Sequence, residues 1–555
     1  MIYGFLKIAG SLGLFLYGMN VMSSGIQKTA GDKLQSIMNF MTTNRFMAVL
    51  TGFIITSIIQ SSSATTVMVV SFVNAQLLNL TQAIGVIMGA NIGTTITGWI
   101  VAILGFKVKL TALALPAIGF GIPLILSKKF GNRDLGEVII GFGLLFLGLS
   151  FLKDSVPDIR ENPEVLEFIT NFMGQGIVSF LLFVITGTLL TIIIQSSSAS
   201  MAITITMAAA GWIDFSAAAA MVIGENIGTT ITANVASIGT SVNARRSARA
   251  HALFNMLGVV WMAVLFDPFQ HMINFIVPGD VFAAESVELV PQHLAMFHTM
   301  FNIINTIIFI PFVKQIAWLV ERTVFEKPDK EERPQLRYIS TALQSTPELS
   351  LMEAKYGVAR MAKTATTMFD TYRNIFRSTS KKDLGKIEEL RKQEDITDQM
   401  QEEISSFLAE CSLYELNERS NERLNAMIRI VGELESIGDS IFNLSVLWER
   451  VQKRNKSLDA SAYDELEPYI LNVKKFLDFI RNHLDNTVTQ REIEEAVHLE
   501  DTINNQRNAL KKSSRNRIKS GAPVKGELLY MDIVQQLERI GDYSLNIAEA
   551  LGSVH

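Results

Sequence analysis

Apolar runs of roughly 18 to 25 residues, the length that crosses a bilayer as a helix, follow one another from Met1 to about Val324 with short polar breaks between them. They lie at about 3–26, 46–75, 83–104, 110–127, 135–153, 176–210, 215–240, 250–276 and 295–320. After Glu326 the pattern changes. Charged residues become frequent, and Leu349, Met352, Tyr356, Met361, Met368 and Tyr372 recur at near-helical spacing, which predicts the packing stripe of a soluble helix. The expected fold is all-α: a polytopic membrane domain over 1–325, a linker over 326–347 carrying Pro328, Pro334 and Pro347, and a soluble helical domain over 348–555.

The polar residues inside the apolar part repeat. Gln60-Ser61-Ser62-Ser63-Ala64 recurs as Gln195-Ser196-Ser197-Ser198-Ala199. Gly89-Ala90-Asn91-Ile92-Gly93-Thr94-Thr95 recurs as Gly224-Glu225-Asn226-Ile227-Gly228-Thr229-Thr230, at the same offset of 135 residues. Two repeats over about 1–130 and 131–275, with an extra helix at about 295–320, account for this spacing. Loop charge orients them. Lys128, Lys129 and Arg133, and again Arg245, Arg246 and Arg249, mark cytoplasmic loops. The acidic stretch from Asp154 to Asn171 and the loop with Asp280, Glu285 and Glu288 read as external. Two long apolar segments lie between Asn171 and Arg245, where an odd number of crossings is required, so one is expected to be re-entrant or a broken hairpin. The Gln-Ser-Ser-Ser runs are the natural break points, because serine hydroxyls can satisfy unwound backbone. On the same reckoning 3–26 and 135–153, which share a Gly13–Gly18 and Gly143–Gly148 pattern, run in opposite directions and predict inverted repeats. Lys107 and Lys109, external in this arrangement, run against the charge bias.

Composition narrows the chemistry. A formal net charge of -5, with no basic cluster interleaved with aromatics, gives no footing for nucleic acid. Cys411 is the only cysteine, so neither an intrachain disulfide nor a cysteine metal site can form. The N-terminus enters apolar sequence with almost no positive region, as a retained first helix does. No nucleophile–base arrangement and no phosphate-cradling Gly-x-x-x-x-Gly-Lys loop stands out, so neither an enzyme nor an ATP-driven pump is expected.

What remains is a neutral polar site. A single serine or threonine in a membrane helix ordinarily bonds its own backbone or packs at a helix contact. Three serines behind a glutamine, duplicated in register, do not fit that use. Their oxygens suit a hard monovalent cation, while helix N-termini and free N–H groups suit an oxyanion. The candidate residues are Gln60, Ser61, Ser62, Ser63, Thr65, Thr66, Asn91, Thr94 and Thr95 in the first copy. The second copy supplies Gln195, Ser196, Ser197, Ser198, Ser200, Asn226, Thr229 and Thr230. Glu225 stands where the first copy has Ala90, and an ionisable residue in an apolar segment is a functional candidate. It could hold a coupling cation or a proton; a carboxylate bonded to freed backbone at a membrane boundary is the plainer use. With no Arg or Lys in these motifs, an anion must be held by dipoles and co-bound cations, which favours cation-coupled transport.

The paired motif resembles the type II sodium–phosphate cotransporter family over residues 1 to about 320. The resemblance implies Na⁺ as coupling ion and inorganic phosphate as substrate, bound around Gln60–Ala64 and Gln195–Ala199 with Thr65, Thr66 and Ser200. The long external loop between the repeats of animal members, often with a disulfide, is missing from this chain.

The soluble part carries its own duplication. Glu435-Ser-Ile-Gly-Asp439 with Asn443 is echoed 103 residues later by Glu538-Arg-Ile-Gly-Asp542 with Asn546. On a helix these positions share one face, and two carboxylates at i, i+4 repel unless a cation compensates. Glu435, Asp439, Glu538 and Asp542 are therefore candidate ligands of a divalent or ferric ion. Glu394-Asp395 and Glu500-Asp501 could add ligands, but such pairs are common on solvated faces. The signature resembles the PhoU family over about 345–555, which implies two tandem three-helix bundles and a role in regulating phosphate uptake. Together the resemblances imply a Na⁺-coupled phosphate transporter of the bacterial inner membrane with a cytoplasmic regulatory domain. Its partners would be phosphate, Na⁺ and the lipid bilayer; a homo-oligomer is left open. An exporter, a carrier of another oxyanion and a phosphate sensor without net transport are the alternatives.

Overall fold

Apolar runs set where the helices form, and polar breaks set where they stop. The computed structural model describes residues 2–38, 44–74, 78–107, 111–126, 132–155, 172–238, 240–283, 286–325, 347–377, 384–414, 416, 418–453, 460–484 and 488–553. Among these every regular element is helical and none is a strand. Lys109, Lys128, Lys129, the acidic stretch beyond Ser155, Glu285 and the linker up to residue 346 lie outside the described residues.

The apolar part forms α1 (Ile2–Met38), α2 (Arg45–Ile59), α3 (Ser62–Asn74), α4 (Leu80–Trp99), α5 (Thr111–Leu126) and α6 (Arg133–Ser155). It continues with α7 (Ile177–Ile194), α8 (Ser197–Ala209), α9 (Phe215–Gly228), α10 (Thr230–Ala236), α11 (Val242–Ile276), α12 (Val290–Phe309) and α13 (Val313–Thr323). Beyond Trp99, α4 runs on as π-helix through Ile100–Lys107. Among the described residues, five stretches are long and apolar enough to cross a membrane: Leu80–Ile103, Arg133–Ser155, Ile177–Ile194, Val242–Ile276 and Val290–Thr323. Large apolar side chains such as Phe120, Ile193, Val264 and Phe275 face outward, which lipid accommodates and water does not. This is a membrane protein.

Local chemistry explains several helix starts. The Asn44 side chain caps α2 by accepting from the N–H groups of Phe46 and Met47, both at 3.0 Å. Asn79 and Gln82 form a reciprocal capping box on α4. Asp214 caps α9 through the N–H of Ala217 at 2.7 Å. Helices α1 and α6, which share the glycine pattern seen in the sequence, pack face to face. A Cβ built on Gly18 would lie 2.2 Å from Leu145 N, and one on Gly148 2.3 Å from Phe15 N, so only glycine permits this backbone approach. A Lys28–Glu137 ion pair at 2.8 Å ties the same two helices.

The described residues fall into two units, one up to Phe325 and the other from Ser350. The second contains α14 (Pro347–Arg377), α15 (Leu384–Cys411), α16 (Glu418–Lys453), α17 (Ala460–His483), α18 (Gln490–Lys519) and α19 (Val524–Gly552). Of the predicted stripe, Met361, Met368 and Tyr372 are buried and Tyr356 partly so; the side chains of Leu349 and Met352 lie outside the described residues. Arg517 anchors the last three helices. It donates to Glu465 at 2.6 Å and to Glu527 at 2.8 and 3.0 Å, and lies over the Tyr530 ring at 4.4 Å.

Candidate functional site

Both Gln-Ser-Ser-Ser runs break their helices in the same way. Gln60 ends α2 with its N–H on Thr56 O, and Gln195 ends α7 with its N–H on Thr191 O, each at 2.7 Å. Their φ values are 57° and 58°, and among the described residues they alone are non-glycines at positive φ. Such a conformation costs a non-glycine residue roughly 1–2 kcal/mol, so its recurrence at matching glutamines shows that both breaks are enforced by the surrounding structure. The next residue recaps the chain: Ser61 Oγ accepts from Ala64 N at 3.2 Å, and Ser196 Oγ from Ala199 N at 3.3 Å. Helices α3 and α8 therefore begin inside the motifs. The carbonyl of Ile59 at the first break accepts a hydrogen bond from Ser23 of α1, a partner that sequence reasoning missed.

Hydroxyls around the breaks divide into two groups. Thr65 donates to Ser61 O at 3.0 Å, Thr66 to Ser62 O at 2.8 Å, and Ser200 to Ser196 O at 3.0 Å, so all three donate within their own segments, while Thr65 also accepts from Thr56 of α2 at 3.0 Å. Thr94, Thr95, Thr229 and Thr230 likewise donate to backbone within their own segments. Among the described residues, the hydroxyls of Ser62, Ser63 and Ser197 make no hydrogen bond. They are the ones left for a ligand.

The two copies meet through a threonine. Thr97, at the end of α4, donates to Gln60 Oε1 at 2.9 Å and accepts from Ser198 Oγ at 3.4 Å. This chain joins the first motif to the second. Gln60 is buried, whereas its counterpart Gln195 is exposed. Thr97 was absent from the residues expected, although the identity between copies runs two residues past Thr95 and Thr230, to Thr97 and Thr232.

Asn91 and Asn226 sit in equivalent buried clusters. His251 Nε2 lies 3.3 Å from Asn91 Oδ1, and Asn91 Nδ2 donates to Asn255 Oδ1 at 3.0 Å. In the second copy His298 Nε2 lies 3.1 Å from Asn226 Oδ1, and Asn226 Nδ2 donates to Asn302 Oδ1 at 3.3 Å. The partners come from a third duplicated pattern, His251-Ala-Leu-Phe254-Asn255 and His298-Thr-Met-Phe301-Asn302. Its offset is 47 residues rather than 135, so the repeat spacing does not point to it. Helix α12, expected as an addition outside the repeats, thus makes the same contacts to α9 that α11 makes to α4. The motif glycines serve packing: a Cβ on Gly89 would lie 1.9 Å from Val49 O, and one on Gly224 2.0 Å from Val184 O. Glu225 is buried, and its Oε1 accepts from Thr204 Oγ1 at 2.7 Å.

In the soluble unit, carboxylate oxygens of Glu394, Asp398 and Asp439 all lie within 4.8 Å of one another. Glu435 precedes Asp439 by one turn. Burial holds all four carboxyls above their ordinary range, and repulsion from neighbouring carboxylates adds to this at Glu394, Asp398 and Glu435. Three oxygen donors at this spacing fit a hard cation. Glu394, which the sequence ranked with solvated pairs, stands inside the cluster. The second copy differs. Glu538 is ion-paired with Arg507, and Glu500 accepts from Asn504, the residue that replaces Asp398. Asp542 is held above its ordinary range by burial, against the pull of Arg507. Arg507 already supplies the positive charge there, so the second copy does not fit a metal as the first does.

The Na⁺/Pi-cotransporter family matches residues 14–154 and 165–277, each stretch containing one broken Gln-Ser-Ser-Ser motif and its asparagine cluster residue. The chain belongs to that family. The PhoU domain matches residues 358–446 and 473–551, one acidic signature in each. Among relatives of this chain, the putative inorganic phosphate export protein YjbB of Salmonella typhimurium is 26% identical over 437 residues, 79% of this chain and 76% of the relative. YqeW of Bacillus subtilis, a protein without an assigned function, is 30% identical over 309 residues, 55% of this chain and 94% of YqeW. The sodium-dependent phosphate transport protein 2A of Rattus norvegicus is 39% identical over 99 residues, 17% of this chain and 15% of the relative. No solved structure matches the chain. The family is one of transporters, not enzymes.

Proposed function

We propose that this chain carries inorganic phosphate across the bacterial inner membrane, coupled to Na⁺, through a site formed between the two Gln-Ser-Ser-Ser motifs. The observation that carries this reading is the Gln60–Thr97–Ser198 chain, which brings polar residues of both copies into one contact inside an apolar protein. Around it, the unbonded hydroxyls of Ser62, Ser63 and Ser197 and the N-termini of α3 and α8 are suited to phosphate oxygens. Freed backbone at Gln60 and Gln195, and the Glu225 carboxylate, are suited to Na⁺. The repeats are read as inverted, with the PhoU part cytoplasmic and gating transport, and with a divalent ion on Glu394, Asp398, Asp439 and Glu435.

The test is ³²P-phosphate flux in proteoliposomes under an imposed Na⁺ gradient, against a matched K⁺ control. Flux that requires Na⁺ is expected, and Ser62→Ala and Ser197→Ala should each impair it while leaving the protein folded. Equal flux in Na⁺ and K⁺ would remove the coupling, and unaltered kinetics in both variants would remove those serines from the site. The names of the YjbB relatives favour a second reading, outward phosphate movement. Opposite Na⁺ gradients in oriented vesicles separate the two directions.

A further inference from the structure

The duplicated residues are used unequally, and the inequality has a pattern. The closed chain takes Gln60 and Thr97 from the first copy and Ser198 from the second. Shifting each member by the repeat offset gives Gln195, Thr232 and Ser63, the same three residue types in the same roles. This second chain is open. Gln195 is exposed, and neither its amide nor the Ser63 hydroxyl makes a hydrogen bond among the described residues. Thr232 donates to Thr229 O at 2.9 Å, the back-bonded state ordinary for a threonine in a helix, whereas Thr97 turns its hydroxyl to Gln60.

We infer that the two chains are alternative latches: as the copies shift past one another, Gln60–Thr97–Ser198 opens and Gln195–Thr232–Ser63 closes. Thr97 and Thr232 are then positioning residues, each holding one motif's glutamine to the other motif's serine. Both latches use the same three groups, so each exchange replaces the hydrogen bonds it breaks with bonds of the same kind, as a two-state element needs. If the packing of the copies allowed both latches at once, nothing in their chemistry would leave one unmade. The purpose of the exchange rests on the transport reading; the exchange itself does not.

The experiment uses the full chain in proteoliposomes with Cys411→Ala and two cysteine pairs, Thr97→Cys with Ser198→Cys and Ser63→Cys with Thr232→Cys. Each pair is expected to crosslink with a short bis-thiosulfonate, and a chain carrying both pairs should hold one crosslink or the other. Failure of the 63/232 pair beside a crosslinking 97/198 pair would overturn the proposal, as would both crosslinks in one molecule. A milder pair guards against misfolding. Thr97→Val should speed crosslinking of 63/232 by about tenfold, the effect of removing about 1.4 kcal/mol from the competing latch, and Thr232→Val should do the same for 97/198. Rates unmoved by either valine would overturn it too. Wild-type protein without phosphate flux, with each cysteine pair crosslinking in its own variant and the two excluding each other in the doubly paired chain, would instead sink the transport reading and leave the latches standing.

Discussion

Glutamine is a poor occupant of the left-handed region, so Gln60 and Gln195 hold their backbone against preference. Glycine at either position removes the strain, by about 1 kcal/mol, and removes the side chain as well. The two sites should therefore respond differently. Gln195→Gly loses no hydrogen bond among the described residues and should raise the unfolding temperature slightly while lowering phosphate flux. Gln60→Gly also loses the Thr97 contact and should gain little or nothing. Thermal melts beside flux measurements check both; a Gln195→Gly protein with wild-type flux would exclude that side chain from the site. The histidine clusters give the opposite case. His298→Ala strips a buried Asn226 oxygen of its donor, which costs about 1–3 kcal/mol, and the same holds for His251→Ala at Asn91. Both variants should melt earlier than wild type, and an unchanged melt would show that the asparagine oxygens find another partner.

At the level of elements, the sequence made the helix breaks legible because serine and glutamine interrupt apolar runs at matching positions. It did not reveal Thr97, whose importance comes from where α4 ends relative to α8, a tertiary fact. Nor did it reveal His251 and His298, which pair with distant asparagines across an offset unrelated to the repeat. Periodicity located the soluble helices, but Glu394 and Glu500 look alike in sequence; only packing shows that the first joins a carboxylate cluster and the second lies near an arginine. The glycine pattern shared by α1 and α6 marks a duplication in the sequence, and the structure adds that Gly18 and Gly148 of that pattern lie at the contact between the two helices. Gly148→Val would drive a branched side chain into the Phe15 backbone. Overpacking of this kind costs about 1–3 kcal/mol, so the variant should lose thermal stability and monodispersity in detergent. Gly13→Val, where an added Cβ meets nothing within 4 Å, is the matched control. Equal behaviour of the two would mean that α1 can move away from α6 at no cost.

For the whole molecule, the open question is how a soluble domain could govern a membrane site, and the acidic cluster offers a handle on it. Its carboxyls titrate above their unfolded values, chiefly through burial. The folded chain therefore holds more protons there than the unfolded one. The cluster favours folding at low pH, and that contribution is withdrawn as pH rises from the unfolded carboxylate value, about 4, through the raised folded values. A divalent cation acts in the opposite sense, because it displaces those protons and binds more strongly as they leave. Mn²⁺ or Mg²⁺ should raise the unfolding temperature of the full chain at pH 7, with about 2.7 kcal/mol of stabilisation at a hundredfold excess over the dissociation constant. The shift should shrink toward pH 5 and fall sharply in Asp439→Asn, whereas Asp542→Asn, beside an arginine-paired glutamate, should keep it. No shift at neutral pH would leave the cluster without a metal. If the metal also changes phosphate affinity by some factor, linkage requires phosphate to change metal affinity by the same factor. Measuring both constants on one preparation tests regulation directly: matching factors different from one establish coupling between the units, and a factor of one in each direction rules it out for this ion.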